Sequence, residues 1–435
     1  MDNRICFVQP PYGFFMQSLD APFTLMYLAA VAERCGWTAT IVDMQSPSEP
    51  LPEADVYAVT STSPQWKQAQ ALSTRIATEH PDSLAIVGGV HVSAEPEAFM
   101  SSDFHISVQG EGENFLTATL TELKQSPELM KEYCIMRRGI QVRFEPVEDL
   151  DAVPFPARHL VDWSRYKRGI YWGKQKIADA VSMITSRGCV HNCAFCGSHV
   201  VFQRRTRFRS IANVVEEIRQ VKETIGYNGL NFHDDTMNSN PKRTFELCRE
   251  LEKENVLWRC LTRVDTITPK ILDAMGAAGC KEIVLGIESG SQKVLNALNK
   301  GVTVKQNLRA MKLIKNHKGA DGKRDIQVKA GIIVGSPKES WQTVRETEKL
   351  LRECPPDFWN VNVLSPFPGS PIWNDPEKYG IKILSRDPSQ YAMVGKNYQG
   401  TVLVETEEMT KADIEQARDE LIELCLEISG PQYDL

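Results

Sequence analysis

The chain has 435 residues, 42% of them apolar and 24% charged, with a formal net charge of −6. That length suits two domains and a tail, and that composition suits a soluble globular protein. The sequence holds neither a long basic run nor an apolar run of about 18 residues, so nucleic acid and the membrane are not expected as partners. The start, "MDNRICFVQPP", lacks the apolar stretch of a signal peptide and reads as a first strand, so a cytoplasmic protein is expected.

In chain order, strands are expected at 4–11, 38–43, 56–62, 84–89 and 104–110, with helices at 24–36, 64–79 and 111–124. Alternating apolar strands and helices predict a parallel sheet covered on both faces, a doubly wound α/β domain. Its ligand belongs beyond the C-terminal strand ends. Residues 134–146 read as a hairpin turning near Gly139, and 148–160 as a proline-punctuated linker. A second alternating series follows, with strands at 181–189, 230–235, 257–265, 282–289, 326–335 and 358–367. Helices fit between them at 210–225, 241–254, 268–278, 303–317 and 339–353. Six such units predict a (β/α) barrel or partial barrel with its site at the C-terminal strand ends. The stretch 409–429 reads as one amphipathic helix behind a Thr cap, packed on the barrel. The expected domains are 1–130, a hairpin and linker at 131–179, a barrel at 180–375 and an extension at 376–435. The basic stretch "RRTRFRS" (204–210) reads as a solvated or anion-facing loop beside a helix.

Of eleven cysteines, eight stand alone, several in apolar patterns that suit buried free thiols rather than a disulfide framework. The other three form "CVHNCAFC" (189–196), placing Cys189, Cys193 and Cys196 at intervals of four and three. A structural zinc site wants four ligands, for which His191 or His199 is near. A [4Fe–4S] cluster held by three thiolates leaves one iron open to a chelating substrate or cofactor.

C-x₃-C-x₂-C after the first strand of a half-open barrel resembles the radical S-adenosylmethionine (SAM) enzymes. The resemblance implies a [4Fe–4S] cluster on Cys189, Cys193 and Cys196, whose open iron binds the amino and carboxylate groups of SAM. It implies reductive cleavage of SAM to a 5′-deoxyadenosyl radical, with a flavodoxin or ferredoxin as reductant. "FHDD" (232–235) matches the family's polar motif beside the SAM amino group, through Asp234 and Asp235. Arg263 in "TRVD" then faces the SAM carboxylate, which a guanidinium suits bidentately. "GIESG" (286–290) resembles the ribose motif, with Glu288 accepting the hydroxyls, and "GIIVGSP" (331–337) the adenine motif, ending its strand at Gly335.

In the first half, "GGVHVSAEPE" (88–97), "GEGE" (110–113) and "PFPARHL" (154–160), with "PFPGSP" (366–371) later, resemble one branch. Its members carry an N-terminal cobalamin (B12)-binding-type domain and include the anaerobic magnesium-protoporphyrin cyclase and natural-product methyltransferases. The D-x-H-x-x-G motif that supplies a lower cobalt ligand is absent, and His91 in "GGVH" reads as a structural loop histidine. The resemblance implies cobalamin held without a protein ligand, by Thr60 and Ser61 in "TSTSPQW" and Gly88 and Gly89 in "VGG", with Trp66 beneath the corrin. The expected function is cobalamin-dependent methyl transfer to an unactivated carbon of a small biosynthetic intermediate. The alternatives are a cobalamin-free dehydratase, deoxygenase or epimerase of a sugar or aminoglycoside, and a non-catalytic zinc-binding module. Cys280, Cys354 and Tyr391 read as buried structural residues rather than hydrogen donors.

Overall fold

The computed structural model describes residues 2–11, 20–135, 139–166, 168–391 and 400–431. The first sheet contains β1 (Arg4–Gln9), β2 (Thr38–Asp43), β3 (Val56–Thr60), β4 (Leu84–Gly88), β5 (Ile106–Gln109) and β6 (Ile140–Arg143). All neighbours in it are parallel, in the order β2-β1-β3-β4-β5-β6. Side chains alternate across a strand, so β1 serves two cores at once. Ile5 and Phe7 join one, beneath α1 (Phe23–Arg34) and α4 (Glu113–Gln125). Cys6 and Val8 join the other, beneath α2 (Trp66–Glu79), with Val92 of the short α3 (Val90–Ala94). Continuous apolar strands are the sequence's way of specifying a sheet buried on both faces.

The stretch around Gly139 departs from the expected hairpin. Residues 129–135 form a helix, α5 (Leu129–Ile135), and β6 adds to β5 in parallel as the sheet's edge. A parallel neighbour requires a helical crossover rather than a tight turn. The turn positions 136–138 lie outside the described residues.

The second sheet runs β15-β14-β13-β12-β11-β8-β7 and curls into a half-barrel. Its strands are β7 (Gly169–Trp172), β8 (Gln175–Met183), β11 (Gly229–Phe232), β12 (Leu257–Thr262), β13 (Cys280–Glu288), β14 (Gln327–Val334) and β15 (Phe358–Val363). Six are parallel; β7, absent from the sequence reading, pairs antiparallel with β8 at the edge. Between β8 and α7 (Ile211–Thr224) lie a two-residue ladder, β9 (Ser186–Arg187) with β10 (Arg207–Phe208), and the short α6 (Ser198–Phe202). Around the outside run α8 (Pro241–Glu254), α9 (Pro269–Ala277), α10 (Gln292–Ala297), α11 (Val304–Asn316) and α12 (Trp341–Glu353). Capping side chains open several of them: Asn240 accepts from Arg243 N, Thr268 from Ile271 N and Thr303 from Gln306 N. Past the short α13 (Pro371–Asn374), β16 (Ile381–Ile383) and β17 (Val404–Thr406) pair antiparallel. The helix α14 (Lys411–Ser429), capped by Thr410, buries Ile414, Ala417 and Leu421 in the barrel's outer core.

The stretch 204–210 is only partly the solvated loop expected: Arg204 and Arg205 are exposed. Arg207 and Arg209 are buried, each paired with a buried glutamate. A buried charge is tolerated only when paired and hydrogen-bonded.

Candidate functional site

The three cysteines lie between β9 and α6, on a loop gripped at both ends from β11. Asp234 is completely buried, and its carboxylate accepts from Thr185 N (3.0 Å), Thr185 Oγ1 (2.8 Å) and Ser186 Oγ (2.5 Å). Asp235 accepts from Gly188 N (3.0 Å), just before the first cysteine, and from Ser198 Oγ (3.1 Å), just after the last. The loop's middle is held by the turn after α10, where Ala194 N donates to Leu298 O (2.8 Å) and Asn299 Nδ2 to Asn192 O (2.7 Å). From α13, Ile372 N donates to Ala194 O (3.0 Å). Gly188 turns at φ +87°, and a Cβ there would run into the Arg205 carbonyl and Phe202. This region admits glycine for both reasons.

Cys193 is buried, and Cys189 and Cys196 are half-buried. Burial pushes the Cys193 thiol up, opposed by the positive charges of Lys300 and Arg263; burial likewise raises Cys196, opposed by the Ser198 N–H. Metal binding replaces those protons. Among the described residues no three His, Cys, Asp or Glu side chains converge as a single ion requires. A [4Fe–4S] cluster gives each thiolate its own iron, and three thiols spread along one rigid loop suit that demand.

The side chains of the expected SAM residues Asp234, Asp235, Arg263 and Glu288 are all already engaged by protein partners. Asp234 spends its carboxylate on protein donors and so braces the strand end. Arg263, after β12, donates to Asp265 (3.0 Å) and to Lys300 O (2.9 Å). Glu288 closes β13 at φ +60°, unusual for a side chain of its size, and pairs with Lys300 Nζ at 2.6 Å. Lys300 Nζ also lies 5.7 Å from the centre of the Phe195 ring, within the cysteine loop. Gly335 ends β14 at φ +84°; its N–H and that of Ser336 donate to Glu339 Oε2 at 2.5 and 3.2 Å. Burial raises the Glu339 carboxyl to about 7, against those two N–H groups. Lys300, Asn299, Ser198 and Glu339 escaped the sequence reading. The "NKG" turn at 299–301 and the glutamate four residues past Gly335 were the available signals.

A cavity of about 660 Å³ opens between the strand ends of the two sheets. Thr60, Ser61, Gly88 and Gly89 line its first-domain wall; Asp235, Ser186, Arg187, Gly197 and Ser198 line the wall opposite. The expected cobalamin residues and the brackets of the cysteine loop thus face one space. Gly89 sits at φ +105°, and a Cβ there would approach Ser61 O to 2.7 Å and Thr60 Oγ1 to 3.1 Å. This stretch of backbone, hydroxyl and glycine, bordered by apolar side chains such as Leu25, Ile86 and Phe115, suits a large cofactor bound without a metal-ligating side chain. Trp66, expected beneath the corrin, is instead 4% exposed in the second core, its ring 4.8 Å from that of His91. His91 is buried too, with Nδ1 3.2 Å from Ser63 Oγ, and burial lowers it to about 4, so it stays neutral. The barrel-side wall adds His233 and Asp20. Burial alone would raise Asp20, but the Arg168 guanidinium at 2.5 Å holds it below the usual carboxylate range.

The profile of the radical SAM superfamily matches residues 183–351, and that of the B12-binding domain matches residues 21–120. An uncharacterized methyltransferase of Pyrococcus horikoshii is 28% identical over 331 residues, covering 74% of this chain and 69% of the relative. The anaerobic magnesium-protoporphyrin IX monomethyl ester cyclase of Rubrivivax gelatinosus is 27% identical over 423 residues, covering 90% and 72%. In fold, the chain is similar to the radical SAM methyltransferase TsrM of Kitasatospora setae, solved with cobalamin and a [4Fe–4S] cluster. That likeness has a TM-score of 0.68 at 16% identity and covers 98% of this chain and 89% of TsrM. The cobalamin-dependent radical enzyme OxsB matches at 0.67 and 18%, covering 97% and 66%.

The chain is therefore a radical SAM enzyme. It belongs to the branch with an N-terminal B12-binding domain, and its cofactors are a [4Fe–4S] cluster, SAM and cobalamin. Among the described residues no helix is long and apolar enough to cross a membrane.

Proposed function

We propose that the enzyme transfers a methyl group to an unactivated carbon of a small biosynthetic intermediate bound in the cavity between the two sheets. The observation that carries this reading is the shared cavity, which the glycine–hydroxyl wall at Thr60–Ser61 and Gly88–Gly89 faces from one side and Asp235 and Ser198 from the other. When bound, the cluster and SAM supply a 5′-deoxyadenosyl radical, and cobalamin supplies a carrier for the methyl group.

The chain's own work is placement and exclusion of water. Cys189, Cys193 and Cys196 hold the cluster, on a loop that Asp235, Leu298, Asn299 and Ile372 keep in register. Arg263, Glu288 and Lys300 set the charge beside that loop, and Gly335 with Glu339 shapes the end of β14 for the adenine. Thr60, Ser61, Gly88 and Gly89 receive cobalamin. The domain limits 1–130, 131–179, 180–375 and 376–435 belong to the same proposal, as do a cytoplasmic setting and a flavodoxin or ferredoxin reductant. In an interdomain cavity the substrate meets both cofactors without leaving the site.

The test is product analysis of the reduced, reconstituted enzyme given methyl-deuterated SAM and a small-molecule cell extract. Label in an extract component, with 5′-deoxyadenosine and S-adenosylhomocysteine formed in similar amounts, is the expected outcome. 5′-Deoxyadenosine without S-adenosylhomocysteine contradicts methyl transfer and directs the search to dehydration or epimerisation.

A further inference from the structure

The "GEGE" motif (110–113) has no task in the chemistry above, yet all four of its residues line the cavity. It follows β5 and opens α4, with Gly110 at φ +82°. Across the domain boundary, the β9–β10 ladder sets Arg187 directly opposite Arg207. Like charges at a cross-strand pair repel, and both side chains are buried, at 10% and 6% exposure. The carboxylates that meet them come from the other domain. Glu111 Oε1 lies 3.2 Å from Arg187 and 2.6 Å from Arg207, and Glu113 Oε1 lies 2.7 Å from Arg187. Glu111 Oε2 accepts from Arg207 (2.8 Å) and from Val147 N (2.9 Å). The Arg187 guanidinium also stands 5.4 Å from the centre of the Tyr27 ring on α1.

A buried guanidinium without its carboxylate is strongly destabilising. The ladder that leads into the cysteines is therefore electrostatically complete only with the "GEGE" loop docked. Arg187 is followed at once by Gly188, whose N–H is held by Asp235, and then by Cys189. One face of the loop thus belongs to the cavity and the other to the strand that places the first cysteine.

We propose that Glu111, Glu113, Arg187 and Arg207 are a positioning network coupling occupancy of the cobalamin wall to placement of the cysteine loop. Whichever cofactor binds first orders the shared network, and the second then binds with less left to order. This rests on the two-cofactor reading above.

The test is equilibrium binding of hydroxocobalamin to the full chain, with the cysteines loaded by iron and sulfide and without. The wild type is expected to bind at least about fivefold more tightly when loaded, within the range of measured site-to-site couplings. The double variant Glu113→Gln with Arg187→Met removes both members of one pair and leaves neither charge unmatched. It is expected to bind both cofactors with a loaded-to-unloaded ratio below about twofold. A merely structural role would lower Tm and leave that ratio as it was. Should the variant not fold, Glu111→Gln with Arg207→Met takes its place. A wild-type ratio of one, or an unchanged ratio in a folded double variant, overturns the proposal while leaving the two-cofactor reading intact. A wild type that takes up iron but binds no cobalamin overturns both.

Discussion

On the first sheet's side of the cavity, the stretch at Thr60–Ser61 and Gly88–Gly89 is backbone, hydroxyl and glycine, bordered by apolar side chains such as Leu25, Ile86 and Phe115. On the barrel's side, Arg187, Gly197, Ser198 and Asp235 line it, flanking a thiol loop held by at least five protein hydrogen bonds, with Asp235, Leu298, Asn299 and Ile372. The first kind of wall binds by shape and close approach; the second binds by covalent ligation on a rigid frame. Damage should therefore behave differently on the two sides. Losing a thiolate removes a bond that no neighbour replaces, whereas crowding the glycine wall weakens binding in proportion to the crowding.

The largest expected effect is that of Cys193→Ala. It should abolish cluster iron and SAM cleavage while leaving hydroxocobalamin uptake measurable, read by iron analysis and visible absorbance. Gly89→Ala is the converse. Its φ of +105° and its approach to Ser61 O impose strain of about 1–3 kcal/mol, and cobalamin affinity should fall roughly 5- to 150-fold with iron retained. If Gly89→Ala lost iron as well, the two walls would not be separable as described.

Next comes the contrast between two adjacent carboxylates. Asp234→Asn turns an N–H donor toward groups that are themselves donors, and should cost about 2–3 kcal/mol of stability in denaturant unfolding. Asp235→Asn should cost less stability and show instead as loss of iron on gel filtration, since its partners bracket the cysteines.

The smallest effect concerns pH. Glu339 ionises near 4.5 when unfolded and near 7 when folded, so between those values the folded state holds more protons. Stability then falls as pH rises through that window, by at most about 1.4 kcal/mol per pH unit. Glu339→Gln keeps an oxygen for the Gly335 and Ser336 N–H groups and should flatten that slope; an unchanged slope would assign it to another group.

What was legible in the sequence follows the same division. The cysteine spacing is local, and Asp235, Arg263, Glu288 and Gly335 fall at successive strand ends, so strand periodicity placed them in order. The partners of the arginines at 204–210 were not legible, because Glu111 and Arg207 are 96 positions apart and in different domains. Basic character alone could not distinguish a solvated loop from a buried ion network. Trp66 failed for a related reason: an aromatic residue at a strand's C-terminal end suits a ligand face or a core equally well, and the helical turn of α2 sends it to the core. The parallel edge strand β6 was missed because a glycine between two short apolar runs reads as a hairpin when the helix just before it is only seven residues long.

In the proposed enzyme one chain holds a cluster and cobalamin beside a single cavity. The most direct test of that arrangement is iron, cobalt and zinc analysis of the anaerobically purified chain after reconstitution with iron, sulfide and hydroxocobalamin. About four iron and about one cobalt per chain are expected, with both absorption signatures in the visible spectrum. Iron without cobalt, or zinc in place of iron, would contradict it.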